Sequence, residues 1–289
     1  MNTNEPLISV LMGVRYIRDD LFFLKRAVAS IMAQTYQRIE LLICDDGSTS
    51  GAAEYLAEAA RKDLRIRLIR RPGCLDLASK LNLCLTAAKG AYIARMDDDD
   101  YSRSDRLEKQ VSFLLENKDI AFVGCNVDLY RNGEKVGRWE FPERPMVRDF
   151  YINQPYIHPT LMFHREALEV VKGYSEDRRQ VLCEDYDLLL RLYAEGYQGA
   201  NLQEVLFDYT LPATARGSRR MGHRWNETVT RWQRFKNLGV LPGALPWVVK
   251  PLAVGLLPES LLKGLKDRKR RAGKNERYQN FCLPPDRHQ

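Results

Sequence analysis

The sequence predicts an α/β fold, Rossmann-like, with a mostly parallel sheet, helices on both faces and a C-terminal helical tail. Three observations point there. Strand-like and helix-like segments alternate through the first 100 residues, the pattern of a parallel sheet joined by crossover helices. Two of the strand-like segments run into aspartate clusters, Asp45-Asp46 and Asp97 to Asp100. The 289 residues are 45% hydrophobic and 29% charged, a composition that builds a core without disulfides or metal and excludes a disordered, collagenous or coiled-coil chain.

Residues 7–12 form an apolar run of strand length. Residues 20–36 are helical in pattern, with Leu21, Leu24, Val28 and Ile31 on one face. A second strand over 39–44 stops at Asp45-Asp46-Gly47-Ser48, and 52–62, rich in Ala and Glu, is helical. A third strand over 66–69 stops at Pro72-Gly73. Residues 75–88 form a third helix, with Gly90 expected as its C-cap. A fourth strand, 91–96, enters the four aspartates. Beyond them the pattern predicts a helix over 103–117, a strand over 120–130, and a hairpin turn at Asn132-Gly133 before a strand over 135–141. A short strand over 160–163, a Leu-rich helix over 184–195, a last strand over 205–209 and a helix over 221–238 follow.

Residues 245–271 are apolar and then basic. From 260 to 278 there are eight bases (Lys263, Lys266, Arg268, Lys269, Arg270, Arg271, Lys274 and Arg277) against Asp267 and Glu276, so +6 of the +7 net charge lies there. The body is nearly neutral, and its composition is not that of a nucleic-acid-binding surface. The longest charge-free apolar stretch near the C-terminus, 237–249, is too short to span a bilayer, and residues 1–6 do not read as a signal peptide. An apolar, then basic segment reads as an interfacial anchor, which makes an anionic membrane surface a candidate partner of residues 245–277. The alternative is a helical pair packed on the domain, against which Pro246, Pro251 and Pro258 count. The six cysteines are spread out with no Cys-x-x-Cys pair, as expected of reduced thiols in a cytoplasmic protein.

In an open α/β sheet, ligands bind beyond the carboxyl ends of the strands. Asp45-Asp46-Gly47-Ser48 suits a turn with a helix cap as well as a ligand contact. Four consecutive aspartates repel one another, and a turn does not need them. Oxygen donors of this kind suit Mg²⁺ or Mn²⁺ shared with substrate phosphates. Glu184-Asp185 stands at the start of a helix, where the dipole favours carboxylates and where a fixed carboxylate can also serve as a general base.

Ile8-Ser9-Val10-Leu11-Met12, Ser30-Ile31-Met32-Ala33-Gln34-Thr35-Tyr36, Cys44-Asp45-Asp46-Gly47-Ser48, Ala94-Arg95-Met96-Asp97-Asp98-Asp99-Asp100 and Cys183-Glu184-Asp185-Tyr186-Asp187 resemble, in order and spacing, the inverting family 2 glycosyltransferases. The resemblance covers about residues 7–210. It implies the GT-A fold, a nucleotide-sugar donor (a UDP-sugar favoured), a saccharide or lipid-linked acceptor, and Mn²⁺ or Mg²⁺. Asp46 would read the nucleobase edge, with Asp45 beside it in the donor site. Asp97 and Asp99 would be the ends of the metal-binding Asp-x-Asp, with Asp97 and Asp98 also lining the donor site, and the run of four also permits a register one residue later. Asp185 would be the catalytic base. Residues 1–215 would be the catalytic domain, divided into a nucleotide-binding half (1–100) and an acceptor half (101–215), and 216–289 a helical extension.

The first strand ends Gly13-Val14-Arg15-Tyr16 where this family often has Pro-x-Tyr-Asn. The Gln-x-x-Arg-Trp motif of processive synthases is missing, which favours addition of a single sugar. The resemblance implies a role in cell-surface polysaccharide or glycolipid synthesis, in the cytoplasm or peripheral on the inner face of the plasma membrane. His158 is a candidate for the acceptor pocket or for a structural role. Trp225 and Trp232, seven apart, read as a packing stripe. Arg216, Arg219 and Arg220 can be a lid over the diphosphate or a solvated loop. Three other classes compete. A phosphatase with Asp-x-Asp nucleophiles would carry that motif after the first strand, not the fourth. A sugar-nucleotidyltransferase needs a Gly-rich loop after the first strand, which Gly13-Val14-Arg15-Tyr16 is not. A non-catalytic protein acting through its basic tail has no need of aspartates at strand ends.

Overall fold

The computed structural model describes residues 5–18, 20–73, 75–212 and 221–256. Its elements are β1 (Ile8–Val14), α1 (Phe22–Met32), β2 (Ile39–Asp45), α2 (Ser50–Lys62), β3 (Ile66–Arg70), α3 (Leu77–Ala87), β4 (Tyr92–Arg95), β5 (Tyr101–Ser102), α4 (Arg106–Glu116), β6 (Ile120–Arg131), β7 (Glu134–Trp139), β8 (Met162–His164), α5 (Arg165–Val170), α6 (Glu184–Ala194), β9 (Gln198–Thr210), α7 (Met221–Asn237) and α8 (Leu241–Leu256). Short 3₁₀ turns lie at Val147–Tyr151, His158–Thr160 and Arg178–Gln180.

One sheet runs in the order β3-β2-β1-β4-β8-β6-β9-β5, with β7 paired to β6. It is parallel from β3 to β4. β8 then runs antiparallel to both β4 and β6, while β9 runs parallel to β6. The sequence pattern therefore locates the parallel half well. It reads only the end of β9, because residues 198–204 carry Asn, Gln and Glu among few apolar residues.

Both faces of the sheet are covered. Ile8, Val10, Met12 and Val14 of β1 pack with Leu24, Val28 and Ile31 of α1 and Leu56 of α2. Leu11, on the opposite face, packs with Leu42, with Ala78, Leu81 and Cys84 of α3, and with the leucines of α6. This alternation is the period of two expected of a strand buried on both sides. The Asn132–Gly133 hairpin has positive φ at both residues (52° and 83°), as its turn type requires.

Gly90 is not a helix cap. α3 closes at Ala88 in an extended conformation, and Gly90 lies against β1, where a Cβ would stand 2.6 Å from Leu7 O and Ser9 N. It is glycine because two backbones touch there. Its N–H donates to Ser9 Oγ (2.8 Å), which in turn donates to the buried Glu40 (2.6 Å).

The C-terminal region also differs from one expectation. Pro246 and Pro251 lie inside α8 without ending it, and α8 packs on α7 and on the Val147–Tyr151 turn, burying Ala244, Val248 and Pro251. The apolar segment is thus, as far as residue 256, half of a helical pair held on the domain. The basic run from 260 to 278 lies outside the described residues, as do Arg216, Arg219 and Arg220. No helix among the described residues is long and apolar enough to cross a membrane. Among the described residues, Cys44, Cys84 and Cys125 are buried and form no disulfide.

Candidate active site

The carboxyl ends of β1, β2 and β4 lie side by side because their parallel registers match, with Val14 opposite Asp45 and Leu11 opposite Arg95. The loops that leave them carry the acidic residues. Asp45 closes β2, and its Oδ1 accepts from Ser48 N at 3.0 Å, so one oxygen forms the turn. Asp46 Oδ1 accepts from Gly73 N at 2.9 Å. The other oxygen, Asp46 Oδ2, is buried with no hydrogen-bond partner among the described residues. Such an acceptor awaits a donor.

Tyr16 stands just past the end of β1, one residue beyond the position expected for an aromatic. Its backbone N–H donates to Ser48 Oγ at 2.9 Å and its hydroxyl to Asp20 O at 2.7 Å. Burial raises the phenol above its ordinary range, and the charge of Asp98 adds to this. The β1 end, the β2 loop and the acidic run are therefore neighbours.

The four aspartates have different surroundings. Asp97 is partly exposed (32% of its side chain) and pairs with Arg95, itself 1% exposed. Arg95 is further held by the carbonyls of Leu11 and Met96. It is a fixed positive charge beneath the acidic run, and it was not singled out in the sequence because arginine at a strand end carries no signal of its own. Asp98 and Asp99 are buried, and Asp99 O accepts from Thr210 Oγ1 at 2.7 Å. Asp100 is the most enclosed, with Oδ1 accepting from Thr210 N at 2.7 Å. Burial, with Asp97 and Asp98 nearby, pushes its carboxyl well above the usual range. Thr210, at the end of β9, thus latches the acidic run to the sheet.

Asp185 lies in the first turn of α6 and is 3% exposed. Its Oδ1 accepts from Tyr186 N at 2.7 Å and its Oδ2 from Gln154 Nε2 at 2.9 Å. Between this helix start and the acidic run lie His158 and Tyr174, joined at 2.8 Å. The Tyr174 phenol, raised strongly by burial, is within electrostatic reach of Arg95, Asp185, Glu184 and Asp97 together. Burial, with the charge of Arg95, pulls His158 down to about 3. His158 is a neutral buried bridge, which favours the structural reading of it.

Among the described residues no group of three or more His, Cys, Asp or Glu side chains is arranged to hold a metal. The donor set still fits Mg²⁺ or Mn²⁺, since hard carboxylate oxygens in an Asp-x-Asp supply one or two ligands and leave the others to phosphate oxygens and water.

The tryptophan stripe is not packing. Trp225 and Trp232 are 58% and 47% exposed, whereas α7 buries Arg224, Glu227, Thr230, Arg231 and Phe235. The period was legible, but the buried face is the polar one, because Arg231 and Glu227 satisfy each other inside (3.0 Å).

A parallel half-sheet that opens into a mixed half, with acidic loops along its carboxyl edge, is the architecture of the GT-A glycosyltransferases. Among solved structures, residues 1–349 of S. aureus TarS align with a TM-score of 0.64 at 17% identity, over 84% of this chain and 72% of that one. The mannosyltransferase PcManGT from Pyrobaculum calidifontis, solved with GDP-Man and Mn²⁺, aligns at 0.59 and 19% identity, over 92% of this chain and 81% of that one. These likenesses concern the fold. In sequence, the chain is 33% identical to the putative glycosyltransferase EpsE of Bacillus subtilis over 258 residues, 89% of this chain and 92% of that protein. It is 30% identical to the UDP-Gal:alpha-D-GlcNAc-diphosphoundecaprenol beta-1,3-galactosyltransferase of Escherichia coli, over 72% and 75% of the two chains. The sequence model of Glycosyl transferase family 2 matches residues 22–172. The chain belongs to that family.

Proposed function

We propose that this glycosyltransferase moves one sugar from a nucleoside-diphosphate sugar to an acceptor hydroxyl, with inversion at the anomeric carbon. The observation that carries the reading is that Asp45-Asp46 and Asp97 to Asp99 follow the carboxyl ends of strands in one parallel half-sheet, with Tyr174 in electrostatic reach of both Asp97 and Asp185. Residues 1–100 would bind the donor and 101–215 the acceptor.

Asp46 Oδ2 would accept an N–H from the nucleobase edge, which meets the need of that buried oxygen. Asp45 holds the loop from which Asp46 reaches. Asp97 and Asp99 would hold Mn²⁺ or Mg²⁺ jointly with the donor diphosphate, and Asp98 would line the same pocket. When bound, the metal supplies positive charge against the leaving diphosphate. Asp185 would take the proton from the acceptor hydroxyl as its oxygen bonds to C1, while the C1–O bond to the diphosphate breaks and its electron pair leaves with the nucleoside diphosphate. The Gln154 and Tyr186 N–H groups fix the Asp185 carboxylate for that transfer.

A UDP-sugar is the favoured donor, supported by the UDP-Gal named for the E. coli relative and the UDP-GlcNAc complex of TarS. Cell-surface polysaccharide synthesis is supported by relatives named for O-antigen and teichuronic acid biosynthesis. A lipid-linked acceptor and a peripheral place on the inner face of the membrane go with that setting.

The test is incubation with a panel of nucleotide sugars, with and without Mn²⁺. Metal-dependent release of a nucleoside diphosphate is expected. Release of pyrophosphate instead identifies a nucleotidyltransferase, and release of neither contradicts the reading.

A further inference from the structure

α7 lies beyond the family match, yet its buried face reaches both segments that meet at Asp185. Arg231 is 3% exposed. Its guanidinium lies 4.9 Å from the centroid of the Tyr186 ring, the residue after Asp185. Its Nη1 donates to Phe150 O at 3.3 Å and to Tyr151 O at 2.9 Å, a few residues before Gln154. The Tyr186 hydroxyl donates to the same Phe150 carbonyl at 2.7 Å. The chain therefore closes a ring of contacts: Arg231 to Tyr186, Tyr186 to Asp185, Asp185 to Gln154, and Gln154 back through Tyr151 to Arg231.

A second tie runs beside it. Arg234 donates to Asp187 Oδ1 at 2.5 Å, and Asp187, fully buried in α6, also holds Arg191 at 2.7 Å. Asn226 and Gln233 reach the 178–181 turn that leads into α6.

Burying an ion pair such as Arg231–Glu227 is a weak source of stability compared with apolar packing, and its attested use is to fix register. The guanidinium is planar and donates in a fixed fork, so it can orient two carbonyls and lie over a ring at once, which an ammonium cannot. We infer that Arg231 is a positioning residue that sets the Asp185 carboxylate relative to the reacting centre, so that α7 is part of the catalytic unit. The inference rests on the reading of Asp185 as the base.

Its test compares Arg231→Met and Arg231→Lys with Arg224→Met in the full chain. Arg224 is also buried on α7, but its guanidinium bonds Pro251 O of α8. Affinity is read with UDP and Mn²⁺, and turnover as UDP release from whichever UDP-sugar of the panel the unsubstituted protein consumes, per folded molecule and well below every melting midpoint. Misplacing a reacting group by about 1 Å costs about 10²-fold in rate. Arg231→Met is therefore expected to lose about 10²-fold in kcat with UDP affinity kept, Arg231→Lys to lie between, and Arg224→Met to keep its kcat. Full kcat in Arg231→Met, or an equal loss in Arg224→Met, overturns the inference. Should Arg231→Met not fold, Tyr186→Phe removes the parallel bond to Phe150 and must lower kcat with UDP affinity kept, and an unchanged kcat there overturns it equally. Asp185→Asn separates the two claims: turnover in that variant defeats the base itself, whereas an inactive Asp185→Asn beside fully active Arg231 variants defeats only the positioning.

Discussion

Gln154 donates its side-chain amide to Asp185 Oδ2 at 2.9 Å, while both residues are buried. The bond links the start of α6 to the segment that follows the Val147–Tyr151 turn. Gln154→Glu replaces this donor with a second carboxylate. Like charges at this distance raise the pKa of the pair, and a general base works only when ionised. The acidic limb of the kcat profile should therefore move to higher pH, with turnover reduced at pH 7 and partly restored at pH 9. A profile that stays in place would show that Asp185 does not titrate in the rate-limiting step.

The register of the acidic run is tested by a pair of variants. Asp100 has a raised carboxyl pKa and accepts from Thr210 N through one oxygen. An asparagine reproduces a protonated acid in shape and keeps that acceptor. Asp100→Asn should fold normally and keep turnover within about tenfold, a change of about 1.4 kcal/mol. Asp99→Asn should lose turnover, and its dependence on Mn²⁺ should weaken. The reverse result places the Asp-x-Asp one residue later.

His158 gives a stability prediction with a definite sign. Its folded pKa, about 3, lies below the ordinary 6.5. Between these values the unfolded chain binds a proton that the folded chain does not, so stability falls as pH falls from 6.5 towards 3. The contribution is fully present above 6.5. His158→Gln removes it, so its melting midpoint should fall less steeply from pH 7 to pH 4.5 than that of the unsubstituted protein. Parallel curves would mean that His158 already carries its proton when folded.

Membrane attachment should come from charge. α8 is packed on the domain, which leaves the eight bases beyond it as the anionic-surface contact. Each such base near an anionic leaflet contributes about 1 kcal/mol, screened by salt. The full chain should sediment with anionic but not neutral vesicles at low salt, and the chain ended at Leu256 should not sediment. Equal binding by the shortened chain assigns the contact to the exposed Trp225 and Trp232 instead.

How far the sequence could be read follows from what each residue's neighbours are. β1 to β4 were legible because their apolar runs are bounded by Asp, Gly and Pro, and β1, β2 and β4 are buried on both faces. The acidic positions were legible because an α/β sheet exposes ligands at strand ends. The first part of β9 was not, since its side chains are polar. Nor was Arg95, whose role depends on a carboxylate two residues on and carbonyls from β1 and its own loop. The polar face of α7 was hidden for a similar reason: a helix that buries arginine and glutamate against distant backbone carbonyls looks, by period, like one that buries tryptophan. Pro246 and Pro251 misled because packing on α7 outweighs the local cost of a helical proline.

The account's central claim is that Asp185 removes the acceptor proton. It is tested most directly by Asp185→Asn, with UDP affinity in Mn²⁺ and sugar transfer measured separately on the same preparation. The amide keeps the volume and the hydrogen bond from Gln154 but is not a base, and loss of a general base costs about 10²–10⁴ in rate. The account predicts unchanged UDP affinity with turnover lowered by that factor. Near-normal turnover, or affinity and turnover falling together, would contradict it.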